Sequence, residues 1–172
     1  MIELNPDHPY SFMIKILFVC TANQFRSPLA EAYFQYLIDQ DPSNQHICVV
    51  SAGTWAWDGA QATSDAQNIA ENIGLTLSDH RSREVSEIIL KEADLVLVME
   101  NGHKEGILQE FPFARDRVFL LSEVIKGLAF NIPDPYVTGE SPYQIGNELI
   151  ALVKEGYVNI LKFAKDLAGK TD

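Results

Sequence analysis

The stretch that most constrains the fold is residues 14–30, IKILFVCTANQFRSPLA. A near-continuous apolar run, Ile14, Ile16, Leu17, Phe18 and Val19, ends on Cys20. Such a run suits a strand buried on both faces of a parallel sheet. Five residues, Thr21, Ala22, Asn23, Gln24 and Phe25, lead to Arg26, and Ser27-Pro28 opens a segment with helical spacing that lasts to about Gln40. Pro28 fits a first helical turn, where its missing N–H costs nothing. The cysteine is therefore expected at the carboxyl end of a strand, facing a helix start.

A loop of this kind makes an anion cradle. Backbone N–H groups and the positive end of the helix dipole point at one spot. A thiolate placed there is stabilised by the dipole and by a neighbouring guanidinium. Arg26 supplies a planar fork that holds two oxygens of one phosphate, which a lysine cannot do. Cations are disfavoured at a helix start, so an arginine there suggests a residue kept for an anion. Asn23 tolerates the left-handed backbone that a tight cradle needs.

Further along, Ile47–Ser51, Leu95–Met99 and Val118–Leu121 are also apolar runs, and they alternate with helical patterns. That alternation predicts an α/β fold with a parallel sheet. In the first helix Leu29, Ala32, Tyr33, Tyr36 and Leu37 are expected to face the sheet. Thr63 or Ser64 caps a second helix closed by Gly74, and Ser82 is read as the cap of a short helix over Val85, Ile88 and Ile89. A last amphipathic stripe runs through Leu149, Ile150, Val153, Tyr157, Ile160, Leu161 and Ala164. Right-handed crossovers bring all strand carboxyl ends to one edge, where ligands bind. Cys20, the turn after Ser51 and the loop carrying Asp134 meet there on this reading.

The 172 residues carry a net charge of −11, which argues against nucleic acid or an anionic membrane surface as partner. No segment is long and apolar enough for membrane insertion, and no secretory signal precedes the first strand. Two cysteines far apart, Cys20 and Cys48, suit a reducing cytoplasm. Cys48 reads as core. His8, His46, His80 and His103 are scattered, so no metal and no other cofactor is implied. Residues 1–12 are expected to form a loose extension, with Met13 a candidate natural start.

These motifs resemble the low-molecular-weight protein tyrosine phosphatases, whose signature is Cys, five residues, Arg, then Ser or Thr, with a distant Asp-Pro-aromatic triplet. Here the signature is Cys20 to Ser27 and the triplet is Asp134-Pro135-Tyr136. The likeness covers residue 13 to the C-terminus and implies one phosphatase domain over 13–172. The implied fold is three-layered and flavodoxin-like, a phosphotyrosine phosphatase I fold whose four-stranded parallel sheet has the order 2-1-3-4. It implies hydrolysis of phosphate monoesters, protein phosphotyrosine above all, through a phosphocysteine intermediate. Cys20 is then the nucleophile, Arg26 the anion holder and Asp134 the acid toward the leaving oxygen. Thr21, Ala22, Asn23, Gln24, Phe25, Arg26 and Ser27 bind phosphate, while Trp57 and Tyr136 wall the slot for the substrate ring. Glu100 to His103 resembles the family's Met-acidic-x-x-His turn. The implied partner is a phosphotyrosine-bearing protein, such as a bacterial tyrosine kinase, and the implied state is a monomer.

Departures from the family pattern fall in the loop. Many members have Gly where Ala22 stands, an aliphatic where Gln24 stands and a second cysteine where Phe25 stands. The position of Gln24 faces the substrate and helps separate phosphotyrosine from phosphoarginine, so a protein arginine phosphatase is the alternative. An arsenate reductase of this fold needs two further cysteines mid-chain, where only Cys48 exists. A non-catalytic phosphopeptide-binding module is expected to lack Cys20 or Asp134, and both are present.

Overall fold

The opening apolar run forms β1, Ile14–Cys20, and the other strands are placed by pairing with it or its neighbour. The structure, a computed structural model, describes residues 13–170, so the extension expected over 1–12 lies outside the described residues. β2 (Ile47–Gly53), β3 (Leu95–Val98) and β4 (Val118–Leu120) are all parallel, in the order β2-β1-β3-β4. This is the order that the resemblance implied. β2 runs past the expected end at Ser51, because its pairing with β1 continues to Cys20 opposite Gly53. β3 and β4 each stop one residue earlier than the apolar runs, and Leu121 already belongs to a helix.

Alternation along β1 divides the core into two halves. Ile16, Phe18 and Cys20 point into the larger half, built with α1 (Arg26–Asp39), α2 (Ser64–Asn72), α5 (Leu121–Lys126) and α7 (Pro142–Ala168). Leu17 and Val19 point the other way, toward Leu90 of α3 (Glu87–Glu92) and Ile107 of α4 (Asn101–Glu110). Helices on both faces explain why the central strands β1 and β3 are nearly all apolar rather than alternating. α7 follows the predicted stripe over 27 residues, about 40 Å of helix. Ser141 caps it through the Gln144 N–H.

Two helix expectations are corrected. α1 begins at Arg26 rather than Pro28, and the residues it buries are Leu29, Ala30, Phe34 and Ile38 with the first turn. Tyr36 is 41% exposed. The phase is set by Arg26 and Ser27 being fixed in the cradle, which turns Phe34 onto Phe18 (centroids 5.7 Å), leaves Ala32 and Tyr33 half-buried against the core, and puts Tyr36 beside Tyr33 toward the surface. Ser82 caps no helix. Its hydroxyl donates to the Trp57 carbonyl and accepts from the Ala60 N–H, and Ser86 caps α3 instead. The segment before α3 is partly extended, because Gly53 exchanges backbone bonds with Arg83 and Val85. A polar connection is thereby laid along the end of β2, beside the cradle.

Candidate active site

Cys20 is the last residue of β1 and is 2% exposed. The chain turns through residues 21–25 and enters α1 at Arg26, with Phe25 in the capping position and no side chain bonded to the first-turn N–H groups. Those donors, with the helix dipole, give this end of α1 the positive character that suits an anion.

The turn is held by Asn23, the only non-glycine with positive φ among the described residues, at 55°. Its side chain leaves no polar group idle. One N–H donates to Ser27 Oγ at 2.9 Å and the other to Ser51 Oγ at 2.8 Å, while its oxygen accepts from the Arg83 N–H at 3.0 Å. Ser27 in turn lies 3.0 Å from Cys20 Sγ. Ser27 Oγ accepts from Asn23, and its single proton has two acceptors in reach, the Cys20 sulfur and, longer at 3.4 Å, the Ala52 carbonyl. Ser51 donates to Glu31, whose carboxyl is pushed above its usual range by burial against the opposing pull of Ser51, His80 and Arg83. His80 Nε2 donates to the Asn23 carbonyl at 2.7 Å, and the Thr63 N–H donates to the Gln24 carbonyl at 2.9 Å.

Gly53 is the close approach that permits this packing. A Cβ there would lie 2.3 Å from the Thr21 carbonyl oxygen and 2.9 Å from the Asn23 nitrogen. No other residue type fits without moving the cradle.

Arg26 is 1% exposed, and both of its terminal nitrogens are bonded. Nη1 reaches Glu100 and the Ile132 carbonyl (2.9 Å), and Nη2 reaches Asp134 Oδ2 (2.8 Å) and Thr21 Oγ1 (3.3 Å). Asp134, distant in sequence, thus stands at the guanidinium. Its other oxygen accepts the Tyr136 N–H at 3.0 Å and starts the single turn α6, Pro135–Thr138. Arg26 and Asp134 are thus joined directly, and Cys20 is bonded to the neighbouring first-turn residue Ser27. A cleft of about 350 Å³ opens beside them, lined by Thr21, Glu100, His103, Asp134 and Val137 among others.

His103 backs this cluster. Its Nδ1 accepts from the Glu100 N–H at 3.1 Å, so Nε2 carries the proton and donates to Thr21 Oγ1 at 2.8 Å. Burial, and then the Arg26 charge, lower its pKa to about 4, against the pull of Glu100 and Asp134. In the unfolded chain the imidazole takes up its proton near pH 6.5, whereas the folded ring stays neutral down to about 4. Stability tied to His103 is then full above pH 6.5 and is lost as pH falls toward 4. Moving from pH 7 to pH 5 should cost about 2 kcal/mol through this group. Denaturant melts of the parent and His103→Gln at both pH values check this, the variant showing the smaller drop.

Of the two ring-wall candidates, Tyr136 is 53% exposed and packs edge-on against Phe25, centroids 5.6 Å apart. Trp57 is 82% exposed. Phe25 itself is buried, its ring reaching the space that a side chain at Gly146 would need, 3.3 Å from such a Cβ. Cys48 is not core but half-buried on the edge strand β2. It lies opposite Lys15 while Cys20 lies opposite Gly53, about 16 Å along the sheet. That separation exceeds the roughly 7 Å limit for a disulfide.

Sequence reasoning brought the turn after Ser51 to the site but gave Ser51 and Gly53 no role in it, and it did not single out Arg83, Glu31, or Glu100 as the second carboxylate on Arg26. The small residues of Ser51-Ala52-Gly53 directly after a strand were the available sign that another backbone passes close by.

Comparison with known proteins agrees with this geometry. The family model described as low molecular weight phosphotyrosine protein phosphatase matches residues 15–168. A Bacillus subtilis protein-arginine-phosphatase is 36% identical over 141 residues, covering 81% of this chain and 92% of that protein. The low molecular weight protein-tyrosine-phosphatase Ptp of Acinetobacter johnsonii is 38% identical, over 70% of this chain and 79% of its own. A solved structure of the arginine phosphatase YwlE, a Cys-to-Ser mutant with a phosphorylated active-site serine, superposes with a TM-score of 0.79 at 33% identity, covering 87% of this chain and 97% of that one. Signature loop, sheet order and a match over nearly the whole described chain agree, and the chain belongs to the low molecular weight phosphotyrosine protein phosphatase family.

Proposed function

We propose that the chain hydrolyses protein phosphotyrosine, with Cys20 as nucleophile, Arg26 as anion holder and Asp134 as acid and then base. The observation that carries this assignment is the convergence of the three side chains on the N-terminus of α1, with Arg26 bonded to Asp134 and Cys20 to Ser27. The incoming phosphate takes the Arg26 fork and the N–H groups of residues 21–26, displacing the carboxylates now bonded there. Cys20 thiolate attacks phosphorus in line, the P–O bond to the ring breaks, and the phenolic oxygen takes the Asp134 proton. In the second half Asp134 carboxylate takes a proton from water, whose oxygen attacks phosphorus. The S–P bond breaks, inorganic phosphate leaves, and the sulfur's charge is met by the Ser27 hydroxyl.

The partner on this reading is a phosphotyrosine-bearing protein of the cytoplasm, of which an autophosphorylated bacterial tyrosine kinase is an example. Tyr136 and Trp57 flank the substrate ring. Phosphoarginine is the second reading, favoured by similarity to named arginine phosphatases, while the half-buried Gln24 in the loop matches neither substrate's usual residue and leaves the choice to experiment. Assays on matched phosphotyrosine and phosphoarginine peptides, with EDTA present, test both. Turnover of the phosphotyrosine peptide is expected to be undiminished by EDTA and faster than that of the phosphoarginine peptide. The reverse preference assigns the chain to arginine, and loss of all activity in EDTA overturns the metal-free mechanism.

A further inference from the structure

α6 is one turn long, and of its residues only Pro135 is buried; Val137 is 83% exposed. So short a helix has little packing of its own, yet it begins on Asp134. Beyond the Tyr136 N–H, which bonds Oδ1 within the turn itself, two ties hold the carboxyl in this state. One is the ion pair with Arg26 at 2.8 Å. The mechanism above removes this tie on each turnover, because the phosphate claims the guanidinium. The other runs through Tyr136, whose ring edge rests on Phe25 of the cradle and whose hydroxyl donates to Asp65 Oδ2 at 2.8 Å, with Thr63 Oγ1 at 3.2 Å. Burial, and Asp65 with Asp134, raise the phenol's pKa, so it stays a donor throughout the neutral range. Thr63 and Asp65 lie at the start of α2, which is fastened to the cradle by the bond from the Thr63 N–H to the Gln24 carbonyl. One small unit thus grips both the cradle and the acid-bearing turn.

We propose that Asp65 is a positioning residue for the leaving-group acid: its bond to the Tyr136 hydroxyl holds Asp134 in place once substrate has taken Arg26. The proposal rests on Asp134 being that acid. Asp65 itself touches neither the phosphate nor the leaving oxygen. Its loss acts only through where the carboxyl sits, and so it matters most for leaving groups that need the proton.

The test compares kcat/KM for phenyl phosphate, whose phenol has a pKa near ~10, with kcat/KM for p-nitrophenyl phosphate, which departs with less help. Asp65→Ala is expected to lower the first about tenfold and the second about twofold or less, a part of the roughly 10²- to 10⁴-fold that a placed proton is worth. Asp65→Asn keeps an accepting oxygen and is expected to retain most activity. Tyr136→Phe should reproduce the leaving-group signature, and adding Asp65→Ala to it should change little further, since the two remove one contact. Equal loss on both substrates, or losses that simply add in the double variant, would overturn the proposal. Asp134→Asn run alongside separates this from the underlying mechanism. A marked bias against phenyl phosphate in that variant supports the acid role, and no bias overturns the mechanism and the Asp65 proposal with it.

Discussion

Cys20→Ser is expected to keep the fold and the anion site while lowering kcat by about four orders of magnitude or more, equivalent to about 5.5 kcal/mol of barrier. The substitution exchanges sulfur for oxygen in a buried position whose polar neighbour is the Ser27 hydroxyl at 3.0 Å. A hydroxyl there has no base beside it to take its proton, since Ser27 is itself held by Asn23. It is therefore a poor nucleophile at neutral pH. The phosphate-facing groups, Arg26 and the loop N–H donors, do not depend on the sulfur. Vanadate or phosphate should accordingly still raise the melting temperature of the variant. Activity near that of the parent would place the nucleophile elsewhere.

Arg26→Ala should be costly in two separate ways. The guanidinium is buried between Glu100 and Asp134, and its removal leaves two carboxylates facing one another with no cation. Breaking a buried pair from one side costs about 3–5 kcal/mol, and the partial exposure of both carboxylates places this site at the low end. In catalysis, an arginine on a transferring phosphoryl group is worth roughly 10³- to 10⁵-fold, and kcat/KM is expected to fall within that range. Arg26→Lys restores the charge without the planar fork, so it should recover more stability than activity. Equal recovery of both would mean that the fork geometry is unimportant.

The sequence made the sheet legible because the central strands β1 and β3 are largely buried on both faces and hence nearly continuous in apolar residues, and the half-buried edge strands carry apolar runs too. The cradle was legible because cysteine, five residues, arginine and a helix-compatible Ser-Pro lie in one short stretch. Asp134 was legible only through the resemblance, as an Asp-Pro pair in isolation suits any turn. What escaped notice depended on contacts between distant segments. The phase of α1 follows from Arg26 and Ser27 being fixed in the cradle rather than from apolar spacing, so Phe34 and Ile38 are the fully buried residues, Tyr33 packs only partly against the core and Tyr36 is exposed. The serine misassigned at residue 82 is an equally good cap by composition, and the fold instead spends it on the Trp57 loop. Glu100 stands on Arg26 only because β1 and β3 are adjacent, which spacing along the chain cannot express.

The most direct test of the mechanism is to catch its covalent intermediate. Enzyme mixed with excess p-nitrophenyl phosphate, quenched within milliseconds under denaturing conditions and digested, should yield one phosphorylated peptide by mass spectrometry. The phosphate is predicted on Cys20, in an amount matching a burst of p-nitrophenol, and absent from Cys20→Ala. A phosphate found on any histidine or carboxylate, or full turnover with no phosphorylated peptide at any quench time, would contradict the account.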